Sequence, residues 1–569
     1  MHERLDQRRL PGTSRLYADF LYDSERLAGF FPAGPRSIPA LLQRVEALDL
    51  DRRFPLELRR RVAGLLAATF AGFDPGPAAA ENLDRLTRPG TVVVVAGQQT
   101  GLFGGPLLTL YKALTAIRLA RELSDAGRPA VPVFWLASQD HDLDEINQAW
   151  LLDRDSELCC VEAGVEPAAA GQPVGEIGFG QGIEAALAEW SERAAPAVVP
   201  AMSDSQDSPV PAAAAAARAA AAAPADAAAR LRAAYHPGAT FASSFARLMA
   251  EWFAPWGLLL LDPLIRGWEE LARPLYLAAF DRAAELRQAL ARRDRELEAR
   301  GYHLQVTQAE SASLLFLQDG AARRLLRRLP DSGEARRWLF GDEPLAAAEL
   351  RRRLEERPER VSPAALLRPL LQDSLLPVVC QISGPAETAY LAQSSALSAL
   401  LGVPAPQPWP RASLTFTDAR ARRLLSRHRL RLEDLFQSPA ADLLARASLD
   451  PGLEAALSGL QSNLQSGLEA LLQRLENYDP TLLDAARTAA AKIRHQSDQL
   501  AARIARSMAR RNEELRRHAA HLSNLLFPHR QLQERVLNSA AILARNPEFL
   551  ERVYAALAPS SPDHLLLPL

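Results

Sequence analysis

At 569 residues, with 48% hydrophobic and 24% charged side chains, the chain has the composition of a globular protein with a large core and more than one domain. A formal net charge of −2 excludes a basic field that would make nucleic acid its main partner. Three cysteines, of which Cys159 and Cys160 are adjacent, exclude a disulfide framework and a paired-cysteine zinc site, and fit a reducing compartment. The N-terminal stretch MHERLDQRRLPGTSRLYADF lacks an apolar core of signal-peptide length, and no run reaches the ~18 apolar residues of a membrane span. A cytoplasmic protein is expected.

Residues 1 to 90 read as mostly helical, with breaks at Pro32-Ala33-Gly34-Pro35 and Phe73-Asp74-Pro75-Gly76-Pro77. Val92 to Val95 are too short for a globular helix and β-branched, which suits a strand buried on both faces. A loop with Gly97, Gly101, Gly104 and Gly105 follows, and Pro106 stands where a helix would begin. That helix carries Leu107, Leu110, Leu114, Ile117 and Leu119 and stops near Gly127. Val131 to Leu136 form the next buried strand, ending in Asp140-His141-Asp142. The result is a βαβ unit with polar groups at the carboxyl ends of its strands, where open parallel sheets bind ligands.

Gly171 to Gly180 is a turn-rich connection. An alanine-rich, low-complexity insertion covers about 196–229, and it offers little apolar area to bury. Phe241 to Phe253 is an amphipathic helix, and Gly257 to Leu261 is a further strand ending at Asp262-Pro263, so the parallel sheet continues. Arg266 to Arg300 reads as one long charged helix and Gln305 to Gln318, turning at Asp319-Gly320, as a hairpin. Arg323, Arg324, Arg327 and Arg328, then Arg351 to Arg353, read as solvated helix faces. Leu375 to Ile382 is another buried strand, with Cys380 as a small hydrophobe inside it. From Leu453 the series Leu453, Leu457, Leu460, Leu464, Leu468, Leu471, Leu475 follows the spacing of a coiled-coil seam. Asp479-Pro480 starts a second helix, with Leu482, Ala486, Ala489, Ile493, Leu500 and Ile504, running to about His518. The two fold back on each other as an arm on the order of 40 Å long.

Chemistry is concentrated at three places. Gly97-Gln98-Gln99-Thr100-Gly101 can present backbone amides ahead of a helix N-terminus, a geometry that favours phosphate or carboxylate, and Lys112 adds a positive charge. The spacing matches neither GxGxxG nor GxxxxGK[ST], and the competing reading is a tight turn whose glycines serve packing. Asp140, His141, Asp142, Asp144 and Glu145 are the densest ionisable cluster. A histidine flanked by carboxylates can take a proton from an amine, and the same carboxylates could hold Mg²⁺. The competing reading is helix capping with Asp140 as the N-cap. Gly384, Glu387 and Tyr390 follow the next strand end, and Arg411 offers a bidentate fork for a carboxylate. No Ser-His-Asp or Cys-His signature is evident.

The motifs AGQQTGLFGGPLLTLYK (Ala96 to Lys112) and PVFWLASQDHDLDEIN (Pro132 to Asn147) closely resemble the bacillithiol-biosynthesis cysteine-adding enzymes, the BshC-type cysteine ligases. The likeness continues through RPLLQDSLLPVVCQISGPAETAYLAQ (Arg368 to Gln393), PRASLTF (Pro410 to Phe416) and LFPHRQLQER (Leu526 to Arg535). It implies an α/β fold, a Rossmann-like parallel-sheet core with added helices and a long antiparallel coiled-coil arm. The expected division is a core over 1–416, the arm over 417–520, and C-terminal helices over 521–569 that return to the core. The implied activity is the last step of bacillithiol synthesis, joining L-cysteine to glucosaminyl-malate, in a dimer formed through the arm.

Amide formation from a free carboxylate needs activation, for which ATP is the economical choice, with Mg²⁺ as its companion ion. On this reading the glycine loop and Lys112 hold anionic groups, Asp140, His141 or Asp142 deprotonates the sugar ammonium, and Arg411 or Arg368 binds the malyl end. Two departures from the family pattern stand out: Gln139 replaces the usual Glu before Asp-His-Asp, and Ala96-Gly97 replaces a double glycine. No HxGH-like adenylation signature is present. A nucleotidyl or phosphoryl transferase on the same core, and a non-catalytic coiled-coil scaffold, are the alternative readings.

Overall fold

A computed structural model describes residues 3–32, 36–166, 171–194, 224–320, 322–329, 337–447 and 451–569. The chain divides into two compact units. One comprises Met1–Leu151, Cys159–Leu414 and Glu534–Leu567, the other Leu152–Leu158, Thr415–Gln533 and Pro568–Leu569.

The first unit is built on a five-stranded parallel sheet. Strand β1 (Val92–Gln98) leads through helix α1 (Leu108–Asp125) to β2 (Ala130–Leu136). Helix α2 (Phe241–Phe253) precedes β3 (Leu259–Leu261). Strand β4 (Val378–Ser383), helix α3 (Pro385–Leu401) and β5 (Gln407–Pro410) complete the sheet. The order is β5-β4-β1-β2-β3, with every pairing parallel. Valines 92 to 95 and all of β2 are buried, because helices cover both faces. The chain proceeds outward from β1 through β2 to β3, then returns to place β4 on the other side of β1. The direction of winding therefore reverses between β1 and β4, and a crevice opens there at the carboxyl ends of the strands.

The return from β3 to β4 is long. It carries helices Trp268–Asp281 and Ala283–Ala299 where a single helix over 266–300 is expected. The break falls at Arg282, whose backbone leaves the helical region (φ −102°, ψ 16°) while its guanidinium binds Glu285 and the Leu400 carbonyl. An antiparallel sheet follows, in the spatial order Glu343–Ala346, Arg337–Phe340, Ala322–Arg328, Ala312–Asp319, Val361–Pro363. The hairpin thus straddles Asp319-Gly320, and Arg323 to Arg328 lie on a strand rather than a helix face, with Leu326 fully buried. Leu375 closes helix Arg368–Leu375, so β4 begins only at Val378.

In the second unit α4 (Pro451–Tyr478) and α5 (Leu483–Arg511) form the arm, and Asp479 accepts from the Thr481 amide at the turn. A Gln461–Asp498 hydrogen bond of 3.0 Å links the two helices. Asn512 ends α5 earlier than the expected His518, because its side chain caps a new helix, Glu513–Leu526. Within the first unit, helices Ser539–Arg545 and Phe549–Ala556 lead to a final strand paired with Glu3–Leu5. Most of the alanine-rich stretch (195–223) lies outside the described residues; residues 224–234 are helical.

The β1–α1 loop is a packing device. Gly104 has φ +84°, and a Cβ there would lie 2.3 Å from the Trp252 ring of α2. Gly104→Ala should therefore destabilise the protein by about 2–4 kcal/mol, combining overpacking with a strained backbone. Chemical denaturation followed by circular dichroism measures this, and an unshifted midpoint would disprove the close approach.

Candidate active site at the carboxyl ends of the parallel strands

Lys112 enters the crevice from α1 and is buried. Its ammonium donates to the Gly97 carbonyl (2.9 Å) and Gln98 Oε1 (2.7 Å), and pairs with Glu387 Oε2 (2.7 Å). Those three acceptors use all three of its N–H donors. Burial draws the Lys112 pKa down and the Glu387 carboxylate opposes it. Glu387 sits in the first turn of α3 and also accepts from the Gly384 amide (2.7 Å). Lys112 is therefore a latch between β1, α1 and α3, not a free cation awaiting an anion.

The helix N-terminus is closed as well. Leu107 N–H donates to the Leu537 carbonyl (3.0 Å) and Thr109 N–H to the Pro106 carbonyl (2.9 Å). Asn538 Nδ2 donates to the Leu102 carbonyl (2.9 Å) from above. Thr100, Gly101 and Leu102 to Gly105 are buried, and a Cβ on Gly101 would meet Gly105 Cα at 2.8 Å. From Thr100 to Gly105 the loop is a packed turn, and Gly101 N–H donates to the Gln99 carbonyl (2.9 Å). Gly97, Gln98 and Gln99 are half-buried at the crevice. Gln98 Nε2 donates to Gln99 Oε1 (3.0 Å), and Gln99 Nε2 donates to Glu145, so the polar chain runs from α3 across β1 to the end of β2.

Arg411, just after β5, is also committed. It pairs with the buried Glu534 (2.6 Å) and donates to the Ala412 carbonyl (2.8 Å). Its Nε would lie 3.2 Å from a Cβ on Gly384, so that glycine makes room for it. Burial disfavours both charges, but the pairing prevails: Arg411 is held above its ordinary pKa and Glu534 below. Glu534 accepts further from Ser413 Oγ (3.2 Å) and Leu414 N (3.1 Å). Ser413 Oγ also bonds His564 Nδ1 (2.8 Å), and burial pulls that imidazole down to about 4.

The end of β2 differs in that its groups remain exposed and loosely held. Asp142, not Asp140, caps helix Leu143–Ile146, accepting from Glu145 N (3.3 Å). Asp140 Oδ1 accepts from the His141 amide (3.1 Å), and its charged neighbours stand farther off, Arg368 Nη2 at 3.8 Å and His141 Nδ1 at 3.8 Å. The His141 side chain is 48% exposed and packs toward Phe316 of the inserted sheet, with ring centroids 6.1 Å apart. Tyr390 faces Glu387, Arg368 and Asp140, and burial raises its hydroxyl, which stays neutral. At the end of β3, Ser138 Oγ donates to the half-buried Asp262 (2.5 Å), whose carboxyl pKa is raised by loss of solvent.

Two contributors were hidden in the sequence. Arg323, read there as solvated, lies over Phe316 (4.0 Å to the centroid), and Arg368 and Asp140 act on its charge. Glu534 and Arg535 belong to the LFPHRQLQER motif, but nothing local ties them to Arg411 or Glu145, the groups they face. The second unit does bring together Ser156 Oγ, His521 Nδ1 (2.9 Å) and, from His521 Nε2, Asp418 (3.1 Å). Ser156 is buried, and the amides of Asp155, Ser156 and Glu157 are all bound to Asp153, so no oxyanion donors remain. This triad braces the structure. Among the described residues no group of three or more His, Cys, Asp or Glu side chains is placed to hold a metal, and no helix is long and apolar enough to cross a membrane.

A family model described as "Bacillithiol biosynthesis BshC, N-terminal Rossmann-like domain" matches residues 4–201 and 214–412. A second, "Bacillithiol biosynthesis BshC, C-terminal coiled-coil domain", matches residues 414–569. The chain is 35% identical over 562 residues to "Putative cysteine ligase BshC" of Koribacter versatilis, covering 98% of each chain. Proteins of the same name from Solibacter usitatus and Salinibacter ruber are 34% and 30% identical, each over 561 residues. The alignments cover 98% of both chains for the former, and 96% of this chain and 95% of the relative for the latter.

The Arg411–Glu534–His564 cluster predicts stability. Glu534→Gln leaves a buried guanidinium without its carboxylate and should cost about 3–5 kcal/mol. His564 adds a pH dependence. Its unfolded form binds a proton near 6.5 and its folded form only near 4, so acidification between these values favours the unfolded chain, by up to about 1.4 kcal/mol per pH unit. Denaturation midpoints measured across that window should fall for the native protein and fall less for His564→Gln. Parallel curves would exclude His564 as the source.

Proposed function

Because the chain belongs to the bacillithiol biosynthesis BshC family, we propose that it joins L-cysteine to glucosaminyl-malate, forming the amide between the cysteine carboxyl carbon and the sugar nitrogen. One observation carries the assignment of roles: at the switch-point crevice Lys112 and Arg411 are spent on internal ion pairs, whereas the Asp140 and His141 side chains reach solvent and, among the described residues, meet no oppositely charged group closer than 3.8 Å. The sugar nitrogen must lose its ammonium proton before it can attack. His141 accepts that proton, and Asp140 beside it stabilises the resulting imidazolium. Asp142 fixes the turn that presents both. Arg368, half-exposed next to Asp140, meets the malyl end of the amine substrate.

A carboxylate is a poor electrophile, so the cysteine carboxyl is activated at the expense of ATP, one of its oxygens leaving with the transferred phosphorus group. The reaction takes place in the cytoplasm, where the three thiols stay reduced. A second copy of the chain covers the arm, where Leu460, Leu471, Leu482, Ile493 and Leu500 are 41–51% exposed.

Purified protein given cysteine, glucosaminyl-malate and ATP should form bacillithiol, and omission of ATP should abolish the product. His141→Ala and Asp140→Asn should each lower kcat by about 10²-fold or more with an unchanged melting temperature. Native rates in both variants would remove the pair from the mechanism. For the arm, light scattering should give twice the chain mass, and Leu460→Glu with Leu500→Glu should give a monomer. A native monomer, or a dimer that survives both changes, would place the contact elsewhere.

A further inference from the structure

The inserted antiparallel sheet delivers one arginine to the crevice, and its surroundings are unusual. Arg323 Nε donates to Ser362 Oγ (2.6 Å) and Nη2 to the Pro363 carbonyl (2.6 Å), both neutral oxygens on the edge strand Val361–Pro363, one strand beyond Ala312–Asp319. The guanidinium plane rests on Phe316 at 4.0 Å. These contacts fix the group in place and leave Nη1 for another partner. The charges acting on it most strongly are Arg368, which repels it, and Asp140, which attracts it. Arg368 itself reaches Asp140 only at 3.8 Å, beyond hydrogen-bond distance.

Two guanidiniums thus converge with a single, loosely engaged carboxylate. Burying such a set leaves one positive charge uncompensated, and burial with the repulsion from Arg368 draws Arg323 down to about 10. A carboxylate ligand entering between the two arginines would neutralise the excess and satisfy the open donors, while an amine would be repelled. The buried cations Lys112 and Arg411 of the crevice floor, by contrast, each have their own carboxylate, Glu387 and Glu534.

We propose that Arg323, carried by the inserted sheet, forms a clamp with Arg368 that grips the malyl carboxylates of the amine substrate and so sets its specificity for a dicarboxylate-bearing sugar. This rests on the ligase reading above. The clamp binds equally in the ground and transition states, so its loss belongs mainly in KM.

Arg323→Gln should raise the KM for glucosaminyl-malate about 30- to 100-fold and alter kcat far less, with the KM for cysteine within about twofold. Arg323→Lys, which keeps the charge and guards against misfolding of the first variant, should recover only part of the loss because the fork is missing. Titration of L-malate by calorimetry supplies a readout independent of ligation: the native protein should bind it, and Arg323→Gln and Arg368→Gln should each weaken binding at least about tenfold. Arginine-dependent malate binding in a protein that makes no bacillithiol would sink the ligase reading and leave the clamp standing. An unchanged KM for glucosaminyl-malate in an active variant, or a rise in the KM for cysteine instead, would overturn the clamp.

Discussion

The Lys112 ammonium is the constraint on which the site's architecture turns. A buried ammonium survives only if each of its three protons finds an acceptor, and here two acceptors come from the end of β1 and the third from α3. These elements lie on both sides of the point where the winding of the sheet reverses. Satisfying one charge therefore fixes the width of the crevice between β1 and β4. It also leaves the floor of that crevice electrically neutral, so it does not compete with the walls for substrate.

The charged groups then separate by how completely they are paired. Lys112–Glu387 and Arg411–Glu534 are buried and closed, with hydrogen bonds to spare, and belong to the frame. Asp140, His141, Arg368 and Arg323 are unsaturated: their ion-pair distances are long or their bonds go to neutral oxygens. Rigid, satisfied charges position reactive, unsatisfied ones, and the boundary between the two sets follows the carboxyl edge of the sheet.

The frame was legible in the sequence wherever the signal was local. Four consecutive valines, the run ending at Leu136 and the leucines before Asp262 declare buried strands, and each became a parallel strand. The leucine spacing of the arm and the Asp479-Pro480 turn were equally plain. What escaped was nonlocal. Arg323 stands among paired arginines that resemble a wet helix surface, and only pairing with Ala312–Asp319 turns it over Phe316. Glu534 has no sequence neighbour that announces a partner at Arg411. The helix break at Arg282 has no Pro or Gly; it depends on a carbonyl of residue 400. The glycine loop offers close approach, and at Gly104 the group that comes close is the Trp252 ring, a packing partner that no local pattern announces.

The separation in sequence of the crevice's two sides bears on how the protein is made. Val378 of β4 sits opposite Val93 of β1, so the centre of the sheet closes only after the whole inserted segment has left the ribosome. Until then β1 presents an open edge of apolar backbone, the kind of surface that invites pairing with other chains. Arg411 waits longer still, since its carboxylate is Glu534, far downstream in the chain. A chain interrupted before that point has the sheet but a buried, unneutralised guanidinium beside Gly384. The segment around Glu534 is thus a chemical checkpoint of biosynthesis, and the crevice acquires its charge balance only once that carboxylate has emerged.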